Sequence, residues 1–202
     1  MNVNDDLVES SISSNPFDVF GTWLRRAVEA QLHEPSAMAL ATSDERGRPS
    51  VRNVLLRGWD ERGFCFYTNY ESRKGIELAA NPFAALLFYW DKLSRQIRIE
   101  GSVQRMSEAE SSAYFESRPR GHRLAAWISE QSRVIAGREM LEREMENIER
   151  RFPGDVPRPP HWGGYRVAAE RFEFWKSRPN RLHDRIVYRR HGNIWTIERL
   201  AP

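Results

Sequence analysis

Between Trp175 and Arg185 the chain reads WKSRPNRLHDR, with Arg181, His183, Asp184 and Arg185 closely spaced behind an aromatic. Arg181 and Arg185 each offer a planar fork suited to phosphate or carboxylate, and His183 can exchange a proton near neutral pH. Such residues suit an anionic small molecule better than a solvated surface strand. A second group is Arg52 and Arg57 in VRNVLLR, followed by Tyr67-Thr68 and then Ser72-Arg73-Lys74. A helix beginning at Arg73 would add free backbone N–H groups and its dipole, so a phosphate fits that corner. Alone, Arg73 and Lys74 read as solvated helix charges; convergence with Arg52 favours the anion. A third group is Tyr114 and Arg118, one helical turn apart, where a ring and a guanidinium could grip one acid. Arg120, His122 and Arg123 follow, and a basic helix end is the plainer reading. Gln96, Gln131 and Ser132 can hydrogen-bond the edge of a heterocycle, but such residues are common on surfaces. No metal signature competes, since the five histidines are scattered and Cys65 is the single cysteine. A nucleophile elbow and a phosphate-binding glycine loop are also absent.

The elements that must position these groups follow from periodicity. Residues 1–14 read as a disordered polar tail, and residues 15–202 as one domain. Asn15-Pro16 caps a helix whose apolar face is Phe17, Phe20, Leu24, Ala27 and Val28, closed off by Pro35. Apolar runs at 38–42, 50–56 and 64–69, separated by turn-forming residues, read as an antiparallel meander. Ser72 caps a short helix over 71–80, and strands follow at 83–90 and 95–106. Ser107 and Glu110 make a capping-box pattern. A longer charged helix has Met140, Leu141, Met145, Ile148 and Phe152 on one face. Residues 163–175, 185–190 and 193–200 complete the strands, with His191-Gly192 as a hairpin turn. The pattern predicts an α+β fold built on an antiparallel barrel with flanking helices. A net charge of +3 is too small to argue for nucleic acid. One cysteine favours a reducing compartment, the first residues lack a secretion signal, and no run is long enough for a membrane span. The expectation is therefore a cytoplasmic protein with neither nucleic-acid nor membrane partners.

The motifs RNVLLR, FYTN, ESRK, FYW, SRQIRIEG, YFESRPRG, ISEQSR, WGGY, EFW and RLHDR occur in this order. In that series, over roughly residues 15 to 202, the chain resembles the pyridoxine 5′-phosphate oxidase family of flavin enzymes. The resemblance implies a split barrel that binds FMN at a homodimer interface, both chains contributing. It implies that FMN is held by Arg52, Tyr67, Thr68, Arg73, Lys74, Gln96, Gln131, Ser132, Trp175 and Arg185. Substrate would meet Arg57, Tyr114, Arg118, His122, Arg181 and His183, with Arg181 and His183 orienting and polarising it over the flavin. The implied chemistry passes a hydride equivalent to the flavin, and oxygen then takes the electrons to give hydrogen peroxide. Asp184 reads as a structural partner for a neighbouring arginine.

The departures fall on the substrate side. Vitamin B6 oxidases of this family carry an Arg-x-x-Tyr lid before the first helix, and DDLVESSISSNPF holds neither residue type. Arg57 stands where those enzymes usually have a lysine, His122 where they have a serine, and Trp175-Lys176-Ser177 where they read Trp-Gln-Gly. This profile resembles the branch that oxidises reduced phenazine carboxylates, and ranks that substrate first. A pyridoxine or pyridoxamine 5′-phosphate comes second. A binder of flavin or B6 phosphate without turnover comes third.

Overall fold

Asn15 opens the first helix as its side chain allows: Oδ1 accepts from the Phe17 N–H at 3.0 Å, and Pro16 follows at the first helical position. The computed structural model describes residues 7–202. Helix α1 spans Pro16–Glu29, followed by strands β1 (Ala37–Ser43), β2 (Pro49–Leu55), β3 (Gly58–Asp60) and β4 (Gly63–Asn69). Helix α2 (Arg73–Ala80) leads to β5 (Phe83–Trp90) and β6 (Arg95–Arg105). Three helices, α3 (Glu108–Glu116), α4 (Arg120–Ile128) and α5 (Arg138–Arg151), precede β7 (Trp162–Lys176), β8 (Asp184–His191) and β9 (Ile194–Arg199).

All strand pairs are antiparallel, in the order β2-β1-β5-β6-β7-β4-β3, and β8 and β9 extend from β7. The long β7 organises this sheet. Its first half pairs with β4 and its second half with β8, while β6 runs along its other edge. The chain after β2 returns to β4, where the Arg57 N–H donates to the Cys65 carbonyl at 2.9 Å, curling the sheet into a split barrel. A bulge lies between Glu100 and Gly101, where a side chain on Gly101 would meet the Ala168 carbonyl at 1.9 Å. The expected α+β barrel with flanking helices is the observed fold.

Helix α1 fills the barrel with aromatic rings. Phe20 lies edge-on to Phe64 at 4.8 Å and to Phe88 at 5.3 Å, and Trp23 lies edge-on to Phe174 at 5.3 Å. Trp23 belongs to this buried face, whereas Val28, expected there, is 59% exposed.

Four further expectations change. Strands β1, β2 and β4 are not a meander: β1 and β2 form a hairpin, and β4 lies across the barrel on β7. Strand β4 is buried along almost its whole length, so it sits inside the sheet, whereas β2 alternates in exposure and forms an edge. Residues 7–14, expected within a disordered tail, pack onto the body; residues 1–6 of that tail lie outside the described residues. Leu7 is buried, and the Tyr188 hydroxyl donates to the Ser13 carbonyl at 2.7 Å. The basic stretch after Arg118 forms its own helix, α4, because Pro119 ends one helix and precedes the next. The last hairpin turns at Gly192-Asn193, one residue later than expected, since His191 still pairs with Ile194.

Candidate functional site

Between β2, β4 and helices α2 to α4 lies a cavity of about 750 Å³. Arg52, Arg57, Tyr67, Thr68, Lys74, Tyr114, Arg118, His122 and Gln131 all line it. Groups far apart in the sequence thus meet because β2 and β4 face each other across the split.

At the α2 end, charge is held by a buried carboxylate. Glu77 Oε2 accepts from Thr42 at 2.5 Å, Ser50 at 2.6 Å and Arg52 at 3.2 Å, while Oε1 accepts from Arg73 at 2.8 Å. Burial alone would raise its pKa, but those hydrogen bonds prevail and hold it at about 2. Arg52 also donates to the Leu40 carbonyl at 3.2 Å, which fixes its guanidinium at the cavity wall. Ser72 caps α2, its hydroxyl accepting from the Gly75 N–H at 3.3 Å. Beside it the buried Lys74 amine donates to Gln131 at 2.8 Å and to Thr68 and Ser72 at 3.1 Å, all neutral oxygens. Burial pushes its pKa down to about 8, Arg52 adding to the effect and Glu77 opposing it.

The opposite wall is aromatic. Tyr67 stacks on Tyr114 with centroids 3.8 Å apart and on Trp162 at 5.5 Å. Burial raises the Tyr67 phenol to about 12, so the ring stays neutral. Glycines permit this approach: a side chain on Gly164 would meet the Tyr67 ring at 2.9 Å. Arg118 lies over Trp162 at 4.5 Å, and its Nη1 is buried without a hydrogen-bond partner. Desolvation pushes the Arg118 pKa below its usual value, opposed by Tyr114 and helped by Arg57. The Arg118 Nη1 nitrogen belongs to a cavity wall shared with Arg57 and His122.

The remaining predicted residues lie elsewhere. Arg73 is exposed, spends Nε on Glu77, and donates its backbone N–H to Ser132 Oγ at 3.2 Å. Ser132 holds a left-handed φ of 77°. Gln96, Trp175 and Arg185 form one row across β6, β7 and β8, outside the cavity. Arg185 donates through Nε and Nη2 to Glu173 Oε1 at 2.9 and 2.7 Å and through Nη1 to the Ala201 carbonyl at 2.9 Å. His183 sits 4.8 Å from Trp175, and Arg181 is exposed on the preceding turn. The chain therefore places most of the predicted residues in two groups, the cavity and a row outside it. Asp184 pairs with Arg178 at 2.6 Å and Arg199 at 2.8 Å, the structural role its sequence position suggested.

Sequence reasoning missed Glu77 and Trp162. Glu77 looks like any helix acid until the fold buries it. Trp162 had a signal, since the two glycines that follow it imply close packing by a neighbour. Among the described residues, no cluster of metal-ligating side chains is present, and no helix is long and apolar enough to cross a membrane.

Comparison with known proteins gives consistent matches. Residues 24–152 match the family described as pyridoxamine 5′-phosphate oxidase, and residues 162–202 match the pyridoxine 5′-phosphate oxidase C-terminal dimerisation region. A pyridoxine/pyridoxamine 5′-phosphate oxidase from a Cyanothece species is 54% identical over 97% of this chain and 92% of its own length. One of the same name from Paraburkholderia phymatum is 56% identical over 96% of this chain and 92% of its own. Among solved structures, PhzG from Burkholderia lata in complex with tetrahydrophenazine-1-carboxylic acid aligns with a TM-score of 0.92 at 34% identity, covering 98% of both chains. A pyridoxamine 5′-phosphate oxidase-related, FMN-binding protein from Nostoc punctiforme shares the fold, with a TM-score of 0.74 at 18% identity over 95% of this chain and all of that one.

Proposed function

The chain belongs to the pyridoxamine 5′-phosphate oxidase family, and from that premise we propose that it is an FMN-dependent oxidase acting on an anionic heterocycle. The cavity residues fit such a cofactor, because Lys74 is a buried cation held only by neutral oxygens beside Arg52. Arg52, Lys74, Thr68 and the start of α2 would hold the FMN phosphate, with Tyr67, Gln131, Ser132 and Arg73 around it. FMN, when bound, supplies two-electron chemistry, taking a hydride equivalent from the substrate carbon and passing the electrons to oxygen to give hydrogen peroxide.

The row of Gln96, Trp175 and Arg185, with Arg181 and His183 beside it, would complete the site from a second copy of the chain. The dimerisation-region match over residues 162–202 supports this homodimer. His183 Nδ1 accepts from the Arg178 N–H at 3.1 Å, leaving Nε2 to carry the proton toward the substrate. Arg181 would orient the substrate's polar edge by its guanidinium fork.

The observation that carries the substrate class is Arg118, whose unpartnered Nη1 lies beside Arg57, Tyr114 and His122. A dianionic phosphate suits this group of basic side chains better than a single carboxylate does. We therefore rank pyridoxine or pyridoxamine 5′-phosphate first, reversing the order expected from the sequence; the names of the relatives above 50% identity support this. Oxidation of a reduced phenazine carboxylate is the second reading, supported by the PhzG likeness. Anaerobic mixing of the yellow protein with each substrate tests both. Bleaching by pyridoxine 5′-phosphate supports the first order, bleaching by the phenazine precursor alone reverses it, and persistent colour with both indicates a binder without turnover.

A further inference from the structure

The turn that carries Arg181 and His183 is held in a conformation its own residues do not favour. Asn180 and Arg181 are consecutive non-glycine residues in the left-handed region, at φ of 58° and 61°. Such backbone persists only where the surroundings fix it from both sides. Here the fixing contacts lead away from the site. The turn is closed by Arg178, whose N–H donates to His183 Nδ1 and whose Nε pairs with Asp184 Oδ2 at 2.6 Å. The other carboxylate oxygen of Asp184 accepts from Arg199 Nη1 at 2.8 Å. Arg199 in turn grips the N-terminal segment. Its Nε and Nη2 donate to the two oxygens of Glu9 at 2.7 and 3.0 Å, and Nη2 also donates to the Leu7 carbonyl at 2.5 Å. Leu7 itself is buried, so this segment is anchored at both its side chain and its backbone.

We propose that Leu7–Glu9 is a strap that positions His183 through Arg199, Asp184 and Arg178, setting turnover without touching the substrate. The proposal rests on the reading of His183 as a substrate-side residue. Glu9 and Arg199 are positioning residues, remote from the cavity described above. Asp184 is the joint of the chain: each of its oxygens takes one arginine, so an Arg199 no longer held by Glu9 shifts the carboxylate and, through Arg178, the turn. The consequence at His183 is a loosened Nδ1 acceptor bond and a less uniquely fixed proton on Nε2.

The test uses the full-length, FMN-loaded protein with Glu9→Ala, His183→Ala and the double variant. Glu9→Ala is expected to lower kcat about threefold, within the range for coupling through remote positions, while KM and FMN affinity stay unchanged. In the His183→Ala background the same substitution is expected to have no further effect. Imidazole nitrogen NMR supplies a readout independent of turnover: His183 should show the Nε2–H tautomer in the unaltered protein and a mixed tautomer in Glu9→Ala. Equal effects of Glu9→Ala with and without His183, or an unchanged tautomer, would overturn the strap while leaving the role of His183 intact. Unaltered turnover in His183→Ala would overturn both.

Discussion

The cavity and the Trp175–Arg185 row carry similar residue types but hold them in opposite ways. In the cavity, the cations are sunk among neutral oxygens, rings and one buried carboxylate, and Arg118 has a buried nitrogen with no partner. In the row, each arginine with an assigned partner is occupied by a carboxylate or carbonyl, and Arg181 stands exposed. The first region gathers its cations around a cavity within one chain. The second has its geometry set by ion pairs and a strained turn. The difference shows where the binding strength and the reaction geometry would reside: anion affinity in the cavity, orientation of the reacting group in the row.

The largest expected effect breaks the cavity. Glu77→Ala leaves Arg52 without its carboxylate and should cost about 3–5 kcal/mol of stability, read as a lower denaturation midpoint together with loss of FMN. The same carboxyl predicts an acid limb. Its folded pKa of about 2 lies below the ordinary 4.5, so its contribution is complete above 4.5 and is lost as pH falls from there toward 2. Next, Arg118→Leu should raise KM for the anionic substrate roughly 10- to 100-fold, the size of a lost charge-assisted bond. Its melting temperature should hold or rise, because a buried guanidinium nitrogen without a hydrogen-bond partner is removed. Arg181→Lys should sharpen the contrast, lowering kcat about tenfold while FMN affinity stays within about twofold, since a point charge replaces the fork. If FMN is lost instead, Arg181 belongs to the cofactor. The smallest effect concerns pH: FMN affinity should weaken as pH rises through about 8, where Lys74 loses its charge, and Lys74→Met should abolish that step.

Much of this was legible in the sequence where local chemistry decides structure. The Ser72 cap, the Ser107–Glu110 capping box and the 83–90 strand lie where caps and apolar runs put them. Tyr114 and Arg118, four residues apart, both line the cavity, as their spacing suggested. What depends on distant packing was not legible. The placement of β4 on β7 is set by burial on both faces, which a short apolar run does not distinguish from a hairpin strand. Helix α4 was hidden by Pro119, and Glu77 by its resemblance to a solvated helix acid. Lys74 and Arg73 are adjacent in sequence, yet one is buried in the cavity and the other is exposed and paired with Glu77.

The central claim is that the two regions are halves of one site completed across a dimer. Mixed dimers test it most directly, combining a chain carrying Lys74→Met and Arg118→Leu with a chain carrying Arg181→Ala and His183→Ala, each inactive alone. If each site draws its cavity from one chain and its row from the other, exchange of subunits yields one intact site per mixed dimer and restores about a quarter of the unaltered activity. Mixed dimers that form and remain inactive would contradict the account.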